Sequence, residues 1–268
     1  MIKKNLSGHM IVRNGIKYDY PFLESCLSIL PICDEFIFID GYSDDGTYEK
    51  LIEFQKTNKK IKVLQKEWKT DKKNGYNILS DLTNYAIENC SGNYHLQIQA
   101  DEAYGEEYLL KIKNLILKNK YDYFSFGIYH MWSSFEKMYA PGVFYDSFIR
   151  LAKKSSYPSL MSVDDAMSMG NVGGKTLSTK DVSKEIKAYH YGYVRTPKAL
   201  IEKQIDITKL WGIYDLDGYL QKGIETGKIN WMDKHPIKNV LKFKGKHPKS
   251  MLKWIQERRE IVEKGIVD

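Results

Sequence analysis

Cysteine is scarce in this 268-residue chain: Cys26, Cys33 and Cys90 are the three, none in a CxxC pair and each inside an apolar stretch. An odd, scattered set of this kind excludes a disulfide scaffold and a zinc ribbon, and we read all three as packing residues. Seven prolines and 19 glycines without a period exclude collagen-like and low-complexity classes. No apolar run reaches the ~18 residues needed to span a bilayer. Met1 to Gly15 carries lysines but neither the apolar core nor the small-residue cleavage site of a signal peptide. The expected location is therefore the cytoplasm. GxGxxG behind a strand, HExxH and GxSxG are all missing, which removes the commonest dehydrogenase, zinc-protease and hydrolase readings. Gly170 to Thr176 brushes against a phosphate loop, but Met169 stands where the first glycine belongs.

A general acid excess is missing too. Lys and Arg number 41 against 34 Asp and Glu, for a net charge of +7. The imbalance is local: between Lys234 and Arg259 stand nine Lys/Arg and one acid, Glu257, leaving the rest of the chain nearly neutral. Such a stretch suits a solvated lysine-rich face, an anionic membrane surface or nucleic-acid phosphates. Of these, nucleic acid is the partner we do not expect.

Hydrophobic residues at 43% and charged residues at 28% are ordinary for a chain that buries a core. The apolar run at Met10–Val12 leads to Pro21 and then Phe22, Leu23, Cys26, Leu27 and Leu30 at helical spacing. Phe36 to Ile39 is a continuous apolar run of the kind buried on both faces of a parallel sheet. Ser43, Asp45 and Thr47 around Gly46 supply turn and N-cap chemistry for a helix through Leu51 and Phe54, and Ile61 to Leu64 reads as the next strand. Asn77 to Cys90 reads as a helix, Tyr94 to Ile98 as a strand and Glu106 to Leu117 as a helix. Aromatic, alternating segments over Tyr121–Trp132 and Val143–Leu151 suit antiparallel strands. Ser155 to Lys180 reads as a long loop. Beyond Pro197 the pattern is helical, broken at Gly212, Gly218, Gly227, Pro236 and Pro248.

The pattern alone thus describes an α/β sheet with Asp40 and Asp101 at strand ends, where ligands gather in open sheets. Several residues carry a more specific signal in combination: Met10 to Asn14, Asp34 to Asp40, Ser43 to Thr47, Asn84 to Ile87 before Ser91-Gly92-Asn93-Tyr94, and Gln99-Ala100-Asp101-Glu102. Together they resemble the nucleotide-binding half of family 2 glycosyltransferases, over roughly residues 8 to 150.

The resemblance implies a GT-A fold, that is, a Rossmann-like mixed sheet flanked by helices. The GT-A domain would occupy 1–196, with a nucleotide-binding half at about 8–104 and an acceptor half at about 105–196. A basic helical C-terminal extension would follow at 197–268. It implies metal-dependent transfer of a sugar, with inversion, from a nucleotide-diphosphate donor of the uridine type to a hydroxyl of a glycan or lipid-linked glycan. On it, Val12, Arg13, Asn14, Asp40, Ser43, Asp45, Asn84, Gln99 and Ala100 are donor-site candidates, Asp40 for the nucleoside. Ser43, Asp45 and Thr47 read equally well as turn and cap residues. Asp101 and His190 are expected to hold Mn²⁺ or Mg²⁺, a hard cation that is content with one or two carboxylates plus phosphate oxygens and water. Asp101 and Glu102 read alternatively as caps of the following helix, and His190 as a packed core histidine. Gln99 stands where the family usually has its first acid, and Thr83 where it favours an arginine, with Lys72 or Lys73 as the candidate substitute. Asp165, with Asp164 beside it, is the expected base for the acceptor proton. Trp68, Tyr129 and Trp132 are candidates to stack on a sugar, with core packing as their default. The basic tail, with Leu241, Met251, Leu252, Trp254 and Ile255 among its lysines, suits peripheral contact with an anionic inner membrane face. The rival reading is a catalytically silent GT-A-like module that binds nucleotide or glycan.

Overall fold

The computed structural model describes residues 5–67, 78–142, 145–163, 166–211, 218–230 and 239–267. The first part alternates strand and helix: β1 (Leu6–Val12), α1 (Phe22–Ile29), β2 (Glu35–Asp40), α2 (Thr47–Thr57), β3 (Ile61–Gln65), α3 (Ile78–Asn89), β4 (Tyr94–Gln97), β5 (Glu102–Tyr104) and α4 (Glu106–Lys118). The strand-rich part follows with β6 (Tyr123–Trp132), β7 (Ser134–Tyr139), β8 (Ser147–Lys153), β9 (Leu160–Val163), β10 (Ser168–Asn171), β11 (Thr179–Asp181) and β12 (Lys187–Tyr193). The chain ends in α5 (Pro197–Trp211), α6 (Tyr219–Thr226), β13 (Ile229–Asn230), β14 (Val240–Lys242), α7 (Leu252–Gly265) and β15 (Ile266–Val267).

One mixed sheet runs in the order β14-β7-β6-β8-β4-β1-β2-β3, with β11 and β12 on β6 and β5 on β12. β1 lies between β2 and β4, parallel to both, while β8 joins antiparallel to β4. The strand tips bearing Asp40 and Asp101 thus flank β1 rather than adjoin each other. β2 is buried along its whole length, as its apolar run requires, because helices cover both faces. Its even positions, Phe36 and Phe38, pack with α1 and α4 residues such as Cys26, Ile29 and Ile112. Its odd positions, Ile37 and Ile39, pack with Leu82 and Ala86 of α3. Each such side chain contributes about 1.5–3 kcal/mol by leaving water. All three cysteines are buried and unpaired. Gly8 lets β1 pass close to β2, since a Cβ there would lie 2.5 Å from the Phe36 ring.

Three features depart from the sequence expectations. β1 begins at Leu6 rather than Met10, because Ser7 and His9 are buried polar residues with partners inside the sheet. Ser7 Oγ donates to Glu35 Oε1 at 2.6 Å, and the His9 and His95 rings meet at 3.2 Å. Ser155–Lys180, expected as a loop, contains the β9–β10 hairpin, whose Leu160 and Met169 bury against Ala152. Among the described residues the helical tail also carries three short strands, and β14 extends the main sheet by pairing with β7. Leu200, Ile201, Trp254, Ile255 and Val262 of the tail share a second core with Met131, Trp132, Phe135 and Tyr191.

The His9–His95 pair has a thermodynamic consequence. Burial holds His9 well below its ordinary 6.5 and takes His95 down to about 3, with Lys154 adding to both. Both folded values lie below the unfolded value, so the unfolded chain binds more protons on acidification. This contribution to stability is complete above about pH 6.5 and is lost toward pH 3. Melting temperature should fall between about pH 6.5 and about pH 4.5. His95→Gln should flatten that slope by up to about 1.4 kcal/mol per pH unit; thermal scans giving both proteins the same slope would refute the account.

Candidate functional site

A cavity of about 690 Å³ opens at the C-terminal ends of β1 and β4. Its walls come from five places: Val12, Arg13 and Asn14 after β1; Lys17, Tyr18 and Tyr20 of the loop that follows; Leu79 and Thr83 of α3; Gln99, Ala100 and Asp101 after β4; and Lys203, Asp206, Ile207 and Lys209 of α5. His190 and Ala166 complete it, and Asp44 is its lining residue from the β2–α2 turn.

That turn is a staple. Asp40 is fully buried and its carboxylate is engaged: Ser43 Oγ donates to it at 2.5 Å and Gln65 Nε2 at 3.0 Å. Ser43 Oγ in turn accepts the Asn14 N–H, and Asn14 Oδ1 accepts the Asp44 N–H. Asn14 itself sits at φ 52, a left-handed conformation that Asn tolerates better than most residues. Asp45 accepts from the N–H groups of Lys17 and Thr47, and Thr47 Oγ1 accepts from the Ile16 N–H. Ser43, Asp45 and Thr47 therefore do what turn and cap chemistry expects, and they tie down the Gly15–Tyr20 loop as well. Asn84 uses its amide on both backbone groups of Ser162, joining α3 to β9, and Thr83 rather than Asn84 lines the cavity.

Asp101 is 6% exposed and receives no side-chain hydrogen bond from the described residues. His190 Nε2 stands 3.8 Å from its Oδ1, and Lys203 Nζ 3.9 Å from its Oδ2. Burial raises the Asp101 carboxyl, but nearby positive charge outweighs it and lowers the group, from His190 while that ring is protonated and from Lys203 and Arg195 throughout. Burial takes His190 the other way, down to about 3 against the attraction of Asp101. At neutral pH the pair is an ionised carboxylate and a neutral imidazole.

Hydrogen-bond logic assigns the tautomer. His130 Nε2 faces the Tyr145 carbonyl at 3.3 Å, and a carbonyl only accepts, so this nitrogen carries the proton. His130 Nδ1 then accepts from His190 Nδ1 at 3.1 Å, which leaves His190 Nε2 with a bare lone pair toward Asp101. Two electron-rich atoms facing each other across 3.8 Å form a site that a cation, or a water donating to both, would satisfy. Gly192 keeps the gap clear, since a Cβ there would lie 2.5 Å from His190 Nε2 and 3.4 Å from Asp101 Oδ2. The donor set of one carboxylate and one oriented imidazole fits a hard divalent cation that also takes phosphate oxygens and water. Among the described residues no group of three or more His, Cys, Asp or Glu gathers for a metal.

Gln99 and Glu102 build the floor. The amides of Gln97 and Gln99 converge on the Ala166 carbonyl at 2.9 and 3.3 Å, holding a non-glycine residue at φ 53. Glu102 is fully buried against Arg150: Arg150 Nη2 donates to its Oε1 at 2.6 Å, and Nη1 donates to the Met167 carbonyl at 2.5 Å. Neither Asp101 nor Glu102 caps α4, whose N-cap is Gly105. The expected base, Asp165, and Asp164 beside it lie outside the described residues, as do Trp68, Lys72 and Lys73. Trp132 is buried in the second core, with Tyr129 packed against it. Lys203, Asp206, His130 and Arg150 escaped the sequence reading. Only the helical spacing of Lys203, Asp206 and Ile207 hinted that they share a face.

With this geometry in view, comparison with known proteins is direct. Residues 9–171, more than half of the chain, match the family described as glycosyl transferase family 2. The chain belongs to that family, and its mixed sheet flanked by helices is the GT-A arrangement the family implies. No curated protein matches it by sequence. Among solved structures it is similar to S. aureus TarS 1–349 (14% identity, 79% of this chain and 66% of that one, TM-score 0.46). The same fragment in complex with UDP-GlcNAc aligns at 14% identity over 79% of this chain and 68% of that one, TM-score 0.43. The longer S. aureus TarS aligns at 15% identity over 83% of this chain and 42% of that one, TM-score 0.46. The chain thus spans about two thirds of the TarS fragment and well under half of the longer TarS chain.

The buried Arg150–Glu102 pair is the joint of the site. Arg150→Met should strand the Glu102 charge in the interior, costing about 3–5 kcal/mol and lowering the melting temperature by roughly 10 °C. The double variant Glu102→Gln with Arg150→Met should recover part of the loss; a single variant melting within about 2 °C of wild type would contradict the assignment.

Proposed function

We propose that this chain transfers a sugar from a nucleotide-diphosphate donor, with uridine as the expected base, to an acceptor hydroxyl of a glycan or lipid-linked glycan, inverting the anomeric carbon. One observation carries the reading. In a chain of glycosyl transferase family 2, a single cavity joins the β1 end, where a nucleoside would lie, to the Asp101–His190 pair, where a diphosphate would lie. Val12, Arg13 and Asn14 would form the nucleoside end. Asp40 would shape it from behind through Ser43 and Asn14, and Gln99 and Ala100 would line the path between the two ends.

Asp101 and His190 would hold Mn²⁺ or Mg²⁺. When bound, such a cation supplies Lewis-acid stabilisation of the charge that develops on the departing diphosphate. His130 keeps the His190 lone pair aimed at the gap, and Gly192 keeps the gap open. Asp165, with Asp164 as neighbour, would take the acceptor proton. The support is that Ala166, next in the chain, lines the cavity and is anchored by Gln97 and Gln99. The silent-module alternative keeps one observation in its favour: the Gln99 amide, where the family usually has an acid, is committed to Ala166.

Replacing Asp101 by Asn keeps shape and removes charge. Nucleoside diphosphate release from a panel of nucleotide sugars with Mn²⁺ should fall at least about 100-fold, corresponding to several kcal/mol of lost stabilisation, with the melting temperature little changed. Turnover by Asp101→Asn at the wild-type rate would sink the active-site assignment, and a wild-type chain that releases none would favour the silent module.

We propose as well that the basic tail touches anionic membrane. Met251, Trp254 and Ile255, expected on that face, are core residues. Leu241 and Leu252 are the exposed ones, set among Lys242, Lys244, Lys246, Lys249 and Lys253. No helix among the described residues is long and apolar enough to cross a membrane, so the contact would lie at the surface. The chain should sediment with phosphatidylserine vesicles at low salt and be released by added salt; sedimentation that is equal with neutral vesicles would count against it.

A further inference from the structure

α5 brings residues from beyond the 9–171 family match to the cavity. Its position is set by packing: Leu200 and Ile201 lie in the second core, and Pro197 sits so close to Gly265 that a Cβ on the latter would lie 2.3 Å from the proline ring. The helix therefore turns Lys203, Asp206 and Ile207 toward the cavity as one face. Three lysines line the cavity at this face, and their fates differ: Lys209 Nζ lies 3.7 Å from Asp206 Oδ1, at the mouth where it is largely exposed. Lys17 Nζ is bound to Asp206 Oδ2 at 2.5 Å, so its charge is already matched. Lys203 Nζ makes no hydrogen bond to the described residues. It lies 5.1 Å above the Tyr20 ring and 3.9 Å from Asp101 Oδ2, beyond hydrogen-bond reach. A lysine held over an aromatic ring and paired only at 3.9 Å with a buried aspartate keeps its three donors available to a further anion.

We propose that Lys203 is the diphosphate-binding residue of the donor site, gripping phosphate oxygens beside Asp101. This rests on reading the cavity as a donor site, and it adds a side chain from outside the 9–171 family match to that site. The chemistry explains why a cation is wanted there. As the bond from the anomeric carbon to the phosphate oxygen breaks, its electron pair stays on that oxygen. The acceptor oxygen forms the new bond to carbon and its proton passes to the base. The nucleoside diphosphate therefore leaves with one more negative charge than it carried in the donor. An ammonium fixed beside it binds the leaving form more tightly than the intact donor, which is the differential that speeds the step. Gln99 contributes no charge at this end of the cavity, so Lys203 and the Asp101–His190 pair divide the work between them.

The test is calorimetric and needs no turnover. Uridine and UDP are titrated into wild type, Lys203→Met and Lys203→Arg, each with EDTA and again with Mn²⁺. In EDTA, Lys203→Met should weaken UDP about tenfold or more, in line with the loss of a charged hydrogen bond, while uridine binds as to wild type and Lys203→Arg recovers part of the loss. UDP affinity of Lys203→Met within about twofold of wild type would overturn the assignment, and so would an equal loss for uridine and UDP, since the effect would then lie in the shape of the pocket. A wild-type chain that binds neither uridine nor UDP would overturn the donor-site reading itself, and this assignment with it.

Discussion

The candidate site depends on a buried ion pair. Glu102 and Arg150 are almost completely shielded from water, and Arg150 reaches past the carboxylate to the Met167 carbonyl. A charge pair so placed is costly to bury and is kept stable only by full hydrogen bonding. Here Glu102 also accepts the Gln99 N–H, and Arg150 stacks on Phe148. The result is that the turn carrying Asp101 and the segment running from Ala166 into β10 cannot move independently. The two glutamine amides on the Ala166 carbonyl repeat the same connection from the β4 side. Opposite walls of the cavity are therefore parts of one polar lattice.

A similar economy governs the rest of the sheet. Polar groups that enter the interior are gathered on shared acceptors: Glu35 Oε1 takes Ser7 Oγ, Ser91 N and Ser91 Oγ, and Asp40 takes Ser43 and Gln65. Each carboxylate locks loops at one end of the sheet, Glu35 below and Asp40 above. Satisfied networks of this kind specify geometry because any shift leaves an unpaired buried charge. The C-terminal segment works by the same rule. Arg195 donates to the Tyr18 carbonyl, Arg258 to Asp19 and Lys17 to Asp206, so the Gly15–Tyr20 loop ties the family-matched part to the residues that follow it.

Much of the first half was legible because its signals are local. The run Phe36–Ile39 reads as a doubly buried strand, and Ile78, Leu82 and Ala86 read as one face of a helix. Asp101 sits at a strand end in a recognisable motif. Ser7 and His9 hid the start of β1, since a polar residue signals burial only once its partner 28 or 86 residues away is known. The β9–β10 hairpin was hidden in the same way: its Ser and Gly content resembles a loop, and only Leu160 and Met169 finding Ala152 makes it a structure. The lysine-rich tail read as a surface feature, yet its apolar residues close a core, because lysines at helical spacing leave the opposite face free to bury.

The sequence alone specified most strands and helices of the first half, that parallel strands deliver Asp40 and Asp101 to one end of a sheet, and which family the first part resembles. These follow from periodicity and short-range motif, which no distant contact alters. Only the tertiary structure decided that Asp40 is consumed by Ser43 and Gln65, that Glu102 faces Arg150, that His130 sets the tautomer of His190, and that α5 brings Lys203 to Asp101. Apart from the local Asp40–Ser43 contact, each of these joins residues at least 25 positions apart, and a contact of that kind is chosen by the packing of whole elements, which no local pattern encodes.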